Sequence, residues 1–162
     1  MIEITMGTVF AAIGAAVALG VPGICSAIGV KAAGVSAASA VAESKDNFKN
    51  ALVLQALPQT QVIYGFITAL FIVMGAGLLG GEGAGVSTGY GLVSLGAGLI
   101  VALTGVSSIF QGLVSSAGIA ACAKNKDAFV PSLVFSGQVE TPAIFGFICA
   151  LIVLVVGLGV LG

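Results

Sequence analysis

Apolar residues run along this chain in four long blocks separated by short polar stretches. The blocks cover about Gly7 to Ala42, Ala51 to Leu79, Tyr90 to Ala123 and Phe129 to Leu161. An α-helix rises 1.5 Å per residue, so roughly 20 apolar residues cross the hydrocarbon of a bilayer. Each block is long enough to cross once, and the first and third have residues to spare for tilting or projecting. No polar turn divides either of them. The pattern predicts an all-α membrane protein of four transmembrane helices.

The blocks form two tandem hairpins, residues 1–80 and 81–162, that read as copies of each other. Gly65-Phe66-Ile67 recurs as Gly146-Phe147-Ile148, and Lys45-Asp46-Asn47-Phe48 recurs as Lys126-Asp127-Ala128-Phe129. The copies run in the same direction, so they are parallel repeats, unlike the inverted repeats of many transporters. In that register Gln59-Thr60 falls on Glu140-Thr141. One copy keeps an acid and the other replaces it by an amide.

Glycine marks the packing faces. Gly91, Gly98, Gly105 and Gly112 recur every seven residues with Ser94, Ala102 and Ser108 between them, and the first block is expected to use Gly7, Gly14, Gly20, Ala27 and Gly34. Such stripes let helix backbones approach closely in lipid, and a period near 3.5 matches left-handed supercoiling. Helices 1 and 3 are therefore expected inside and helices 2 and 4 outside, an alternation that invites a closed ring of identical subunits.

Composition sharpens the membrane reading. The chain has 162 residues, 59% hydrophobic and 7% charged, with a mean hydropathy of +1.23, more apolar surface than a soluble domain of this size can hide. The net charge of −1 leaves no basic face for nucleic acid. With no His, the usual general base and metal ligand is missing. Cys25, Cys122 and Cys149 are scattered and indicate neither a zinc site nor a disulfide framework. Met1-Ile2-Glu3-Ile4-Thr5 offers an acid where a secretory leader wants a base, so the first block is expected to be a permanent helix. Four of the five Lys sit in the connectors at 43–50 and 124–128. The positive-inside rule puts those connectors in the cytoplasm and both termini outside the cell membrane.

Polar residues inside the blocks are the candidate chemistry. Leu57, Thr60, Gln61 and Tyr64 share one helical face, and Pro58 among them removes a donor and bends the helix. Counting from the connectors, Gln61, Gln111 and Glu140 each lie roughly 16–18 Å deep, near mid-bilayer. A carboxylate at that depth is costly and marks an ion path. One carboxylate with several neutral oxygens suits a small monovalent cation better than a divalent one. A proton carrier needs only the carboxyl group, so the oxygens of Thr60, Gln61 and Gln111 favour Na⁺ over H⁺. Tyr64 is placed to donate its hydroxyl to Glu140. Lys31 lies at similar depth and is read as lining the ring centre without a direct part in transport. Gln59, Thr141 and Pro142 have weaker claims.

The run Leu57-Pro58-x-Thr60-Gln61-x-x-Tyr64, with Phe110-Gln111-Gly112 and Val139-Glu140-Thr141, resembles the proteolipid subunit of V-type rotary ATPases, above all the sodium-translocating bacterial kind. The resemblance covers almost the whole chain. It implies a non-catalytic rotor ring of identical copies in lipid, turning against a stator a/I-type subunit with a cationic residue and joined to a central stalk in the cytoplasm. It also implies Na⁺ ligation by Leu57 (main-chain oxygen), Thr60, Gln61, Gln111 and Glu140, with a hydrogen bond from Tyr64. Gln59 and Pro142 depart from the family pattern. The chain has no Gly-x-x-x-x-Gly-Lys phosphate loop, so ATP would be hydrolysed by other subunits. The same rotor carrying H⁺ is the alternative reading. A small multidrug/H⁺ antiporter is a weaker one, because the aromatic walls an organic cation wants are missing.

Overall fold

Helix starts are set by side-chain caps at the ends of the apolar blocks. In the computed structural model, which describes residues 4–79 and 85–157, Thr5 caps α1 (Met6–Glu43) by accepting from the amide of Thr8 at 3.2 Å. The same hydroxyl donates to the carbonyl of Val86 at 2.8 Å, tying the start of the first span to the approach to the third. Ser87 likewise caps α4 (Thr88–Gly105) through the amide of Tyr90. Such caps satisfy donors that would otherwise be orphaned at the first turn.

The second span is a 3₁₀ turn at Lys45–Asn47, α2 (Phe48–Ala56), a second 3₁₀ turn at Leu57–Gln59, and α3 (Thr60–Gly75). The third is α4 followed directly by α5 (Ser107–Lys124), and the fourth is α6 (Phe129–Gln138) and α7 (Thr141–Gly157) after a 3₁₀ turn at Lys126–Ala128. Among the described residues these make four helical stretches long and apolar enough to cross a membrane, and no strand. The expected middle connector falls partly outside the described residues, as do the first three residues and the end of the fourth block.

At the connector end, Ser44 and Asn125 accept from the amides of Asp46 and Asp127, and Asn47 donates to the carbonyl of Ala40 at 2.8 Å. Lys126 and Asp46 meet at 3.4 Å in solvent, bringing the two basic connectors together at one end of the molecule. Equivalent positions 44 and 125, occupied by Ser and Asn, thus cap the same turn in both hairpins.

The first and third spans form the central pair, running parallel in backbone contact. A Cβ added to Gly98 would strike the backbone of Gly14, one on Gly91 that of Gly7, and one on Gly112 that of Gly29. Ser36 and Ser116 extend the seam with a 2.6 Å hydrogen bond. Close approach of this kind gains dispersion contact that larger side chains would block. The stripe of the third span is as expected, but that of the first needs correction. Nothing lies within 4 Å of a Cβ on Gly20, Ala27 is exposed, and Gly34 meets only the side chain of Gln55. The working stripe is Gly7, Gly14, Pro22, Gly29 and Ser36, lengthened by one residue at Pro22, which fits against Gly105. A straight helix turns every 3.6 residues, so a seven-residue stripe must slip within a few turns.

Each outer span lies against this pair with its own Gly. Gly65 faces the carbonyl of Ala18, and Gly146 faces the hydroxyl of Thr104. The buried core is accordingly rich in Ala, with Leu54, Ile72, Val101, Ile119 and Leu154 as its larger members. Many large apolar side chains, among them Phe66, Phe71, Phe135 and Phe145, point outward. An outward face of that kind suits lipid or further copies.

Candidate ion-binding site

Pro58 cannot donate an N–H, and the second span tightens around it into the 3₁₀ turn Leu57–Gln59. The turn brings both the amide and the hydroxyl of Thr60 to the carbonyl of Leu57, the hydroxyl at 3.1 Å. Pro58 itself is buried beside Gly29 of the first span. The fourth span is broken at the corresponding place. Val139 and Glu140 lie between α6 and α7, with the amide of Glu140 on the carbonyl of Gly137 at 3.1 Å. Pro142 opens α7 immediately afterwards, at a position where a missing N–H is cheap. Val106 separates α4 from α5 at a similar level in the third span.

Gln61 and Gln111 are both fully buried. Their amide orientations follow from the hydrogen bonds. The carbonyl of Ser136 can only accept, so Gln111 presents its NH₂ there, at 3.1 Å. Gln111 Oε1 is then left facing Gln61, which presents its own NH₂ at 2.7 Å. That leaves Gln61 Oε1 beside the hydroxyl of Thr60, at 3.3 Å. Both amides are locked with their oxygens turned toward the run from Leu57 to Tyr64.

Glu140 is half-buried and takes a hydrogen bond from the Tyr64 hydroxyl, 2.6 Å from Oε1. The Tyr64 ring stacks on Phe147, with centroids 5.1 Å apart. Phe147 holds the phenol where it reaches the carboxylate. Among the described residues no three His, Cys, Asp or Glu side chains come together. Glu140 joins this neighbourhood through Tyr64, and the oxygens of Thr60, Gln61 and Gln111 in the adjoining network are neutral; one carboxylate with neutral oxygens suits a monovalent hard cation.

Two residues here escaped sequence reasoning. Ser136 orients Gln111 through its carbonyl, and its hydroxyl pairs with that of Ser115 at 2.7 Å, both fully buried. The spacing held a signal, since Ser115 follows Gln111 by four residues and Ser136 precedes Glu140 by four. Gln59 and Thr141 are exposed and take no part in this network, and Lys31 is exposed on the first span. The three cysteines are free, Cys25 and Cys122 buried and Cys149 exposed.

A family model for the C subunit of ATP synthase matches the chain twice, at residues 13–72 and 95–153. The chain is 39% identical over 147 residues to the A-type ATP synthase subunit K of Methanocaldococcus jannaschii, covering 91% of itself and 62% of that relative. It is 41% identical over 143 residues to the V-type sodium ATPase subunit K of Enterococcus hirae, covering 88% of both.

Proposed function

The chain belongs to the family of ATP synthase C subunits, and from that premise we propose that it is one unit of a rotor ring that moves Na⁺ across the cell membrane on Glu140. Members of this family are non-catalytic, ion-translocating components. The observation that carries sodium is the locked pair of amides. Gln61 and Gln111 are held by hydrogen bonds that end on a backbone carbonyl, with Gln111 Oε1 accepting from Gln61 and Gln61 Oε1 beside the Thr60 hydroxyl, so both amides are ordered in advance. A proton on Glu140 would need neither of them. The sodium ATPase subunit K among its relatives supports the same reading.

The ion is the cargo. Leu57 O, Thr60 Oγ1, Gln61 Oε1, Gln111 Oε1 and the Glu140 carboxylate supply its ligands, and Tyr64 fixes the carboxylate. In lipid, a naked carboxylate is too costly, so Glu140 travels with a cation bound. Opposite a stator cation on another subunit, the carboxylate gains a partner and releases the ion to water. ATP hydrolysed elsewhere turns the ring, linked to it through a central stalk at the end where Lys126 and Asp46 meet. The two family matches support the reading of the chain as a duplicated hairpin. Both termini then lie outside, and the connectors at 43–50 and 124–128 lie in the cytoplasm.

Reaction with a hydrophobic carbodiimide tests this. Modification is expected at Glu140 alone and is expected to be blocked by Na⁺. Labelling that ignores Na⁺ at every pH would reject sodium and leave a proton rotor. A chain that forms no ring in mild detergent would reject both.

A further inference from the structure

Among the described residues, the buried hydroxyls of Ser26, Ser94 and Ser107 have no hydrogen-bond partner in the chain. Ser94 lies on the central seam, where its carbonyl packs against Gly14. Ser26 and Ser107 stand 81 residues apart, the offset from Gly65 to Gly146, so they hold one position in the two hairpins. A hydroxyl buried in a helix commonly bonds back to a carbonyl three or four residues earlier. Thr68, Thr104 and Ser108 all do so, at 2.9 Å. Ser107 does not, although it is only 9% exposed.

What Ser107 faces follows from the contacts on either side of it. Thr104 meets Gly146, and Gln111 donates to the Ser136 carbonyl, so the third and fourth spans run antiparallel here. Ser107 is three residues from the first contact and four from the second, on the same helical face. Glu140 lies between Ser136 and Gly146 on the opposing span. The first hairpin shows the same pairing, since Ser26 and Gln59, the counterpart of Glu140, line one cleft. Ser108, next in sequence, turns away to the seam, with its carbonyl against Gly29.

We propose that Ser107 is a positioning residue for Glu140, donating its hydroxyl to the carboxylate when that side chain turns inward to share Na⁺ with Gln61 and Gln111. Glu140 is half-buried and takes its hydrogen bond from Tyr64 on Oε1, beside the amide network and outside it. To hold one ion jointly with the amide oxygens, the carboxylate moves toward the third span, where Gln111 stands. Ser107 waits one turn from Gln111 on that span. An ionised carboxylate has about four lone-pair sites, so a phenol, a cation and a serine hydroxyl fit on it together. A hydrogen bond to a charged acceptor is also stronger than one between neutral groups. The idle hydroxyl is satisfied only in the inward arrangement, and so biases Glu140 toward it.

This inference rests on the sodium reading of Glu140, and the test keeps the two apart. Ser107→Ala is expected to raise the Na⁺ needed to protect Glu140 from carbodiimide by roughly tenfold or more, with rings assembling as before. Ser107→Thr keeps the hydroxyl and is expected to recover most of that loss. Ser26→Ala removes the equivalent idle hydroxyl from the other hairpin and should leave protection unchanged. Infrared difference spectra give a second readout, the carboxylate stretch that responds to Na⁺ and disappears in Glu140→Gln. That band is expected to move in Ser107→Ala and to stay in place in Ser26→Ala. Equal loss of protection in the two Ala variants, or an unmoved band in Ser107→Ala, would overturn the proposal and spare the sodium site. Labelling of the unaltered protein that ignores Na⁺ would overturn both.

Discussion

The Gln61 side chain donates to Gln111 Oε1 at 2.7 Å, a hydrogen bond between two fully buried amides on different spans. Because Gln111 in turn donates to the Ser136 carbonyl, each residue's orientation depends on the next. Such a chain behaves as a unit, and its members are expected to show coupling when altered together. Gln61→Leu and Gln111→Leu are each expected to weaken Na⁺ protection against carbodiimide by tenfold or more. The double variant is expected to lose less than the two losses combined. Strict additivity, read from Na⁺ titrations of all four proteins, would show that the bond has no role in presenting the oxygens.

Tyr64→Phe removes the hydroxyl on Glu140 and keeps the ring on Phe147. A hydrogen bond to a charged group contributes about 1.5–3 kcal/mol, so Na⁺ affinity is expected to fall roughly ten- to a hundredfold. The ring of subunits should assemble as before. Isothermal titration against size measurement in detergent separates loss of binding from loss of assembly.

Glu140→Gln is expected to abolish carbodiimide labelling and ion transport while leaving the fold intact, since the carboxylate is half-buried and the helices pack elsewhere. Circular dichroism and ²²Na⁺ uptake in reconstituted vesicles check the two halves. Residual uptake would mean a second acid shares the work.

Lower pH is expected to raise the Na⁺ concentration needed for protection, because a proton and Na⁺ compete for one carboxylate. Protection independent of pH would argue against competition at Glu140.

Gly98→Ala and Gly137→Ala make a matched pair. A Cβ at Gly98 runs into the backbone of Gly14, whereas nothing lies within 4 Å of one at Gly137. The first is expected to lower the melting temperature by several degrees or to prevent assembly. The second should be neutral or slightly stabilising, because Ala is a better helix former by about 1 kcal/mol. Equal effects would place the tight seam elsewhere.

Much of this was legible in the sequence, for reasons that differ by residue. Gln61, Gln111 and Glu140 could be set at one depth because an α-helix has a fixed rise, and polar groups stand out in an apolar block. Tyr64 on Glu140 followed from one-turn spacing. Ser136 could not be found in the same way, since its contribution comes through a backbone carbonyl that every residue possesses. The stripe of the first span was misplaced past Gly14 because glycine there occurs both on the seam and off it. The fit of Pro22 against Gly105, with Gly29 against Gly112 beyond it, shows which row is in contact. Sequence marks which residues are small and leaves open what they touch.

The interruptions at Leu57–Gln59, at Val106 and at Val139–Glu140, with Pro22 beside them, lie within about two turns of one another. Backbone amides at the centre of a bilayer ordinarily exchange their hydrogens last, because every one is bonded within its helix and far from water. Here the usual order is expected to invert. Amides around Thr60, Ile109 and Thr141 should exchange ahead of those a turn or two on either side, a band of fast exchange across the protein's middle. The second, third and fourth spans then each behave as two stiff rods joined by a pliant collar, and the proposed ion site lies at that collar.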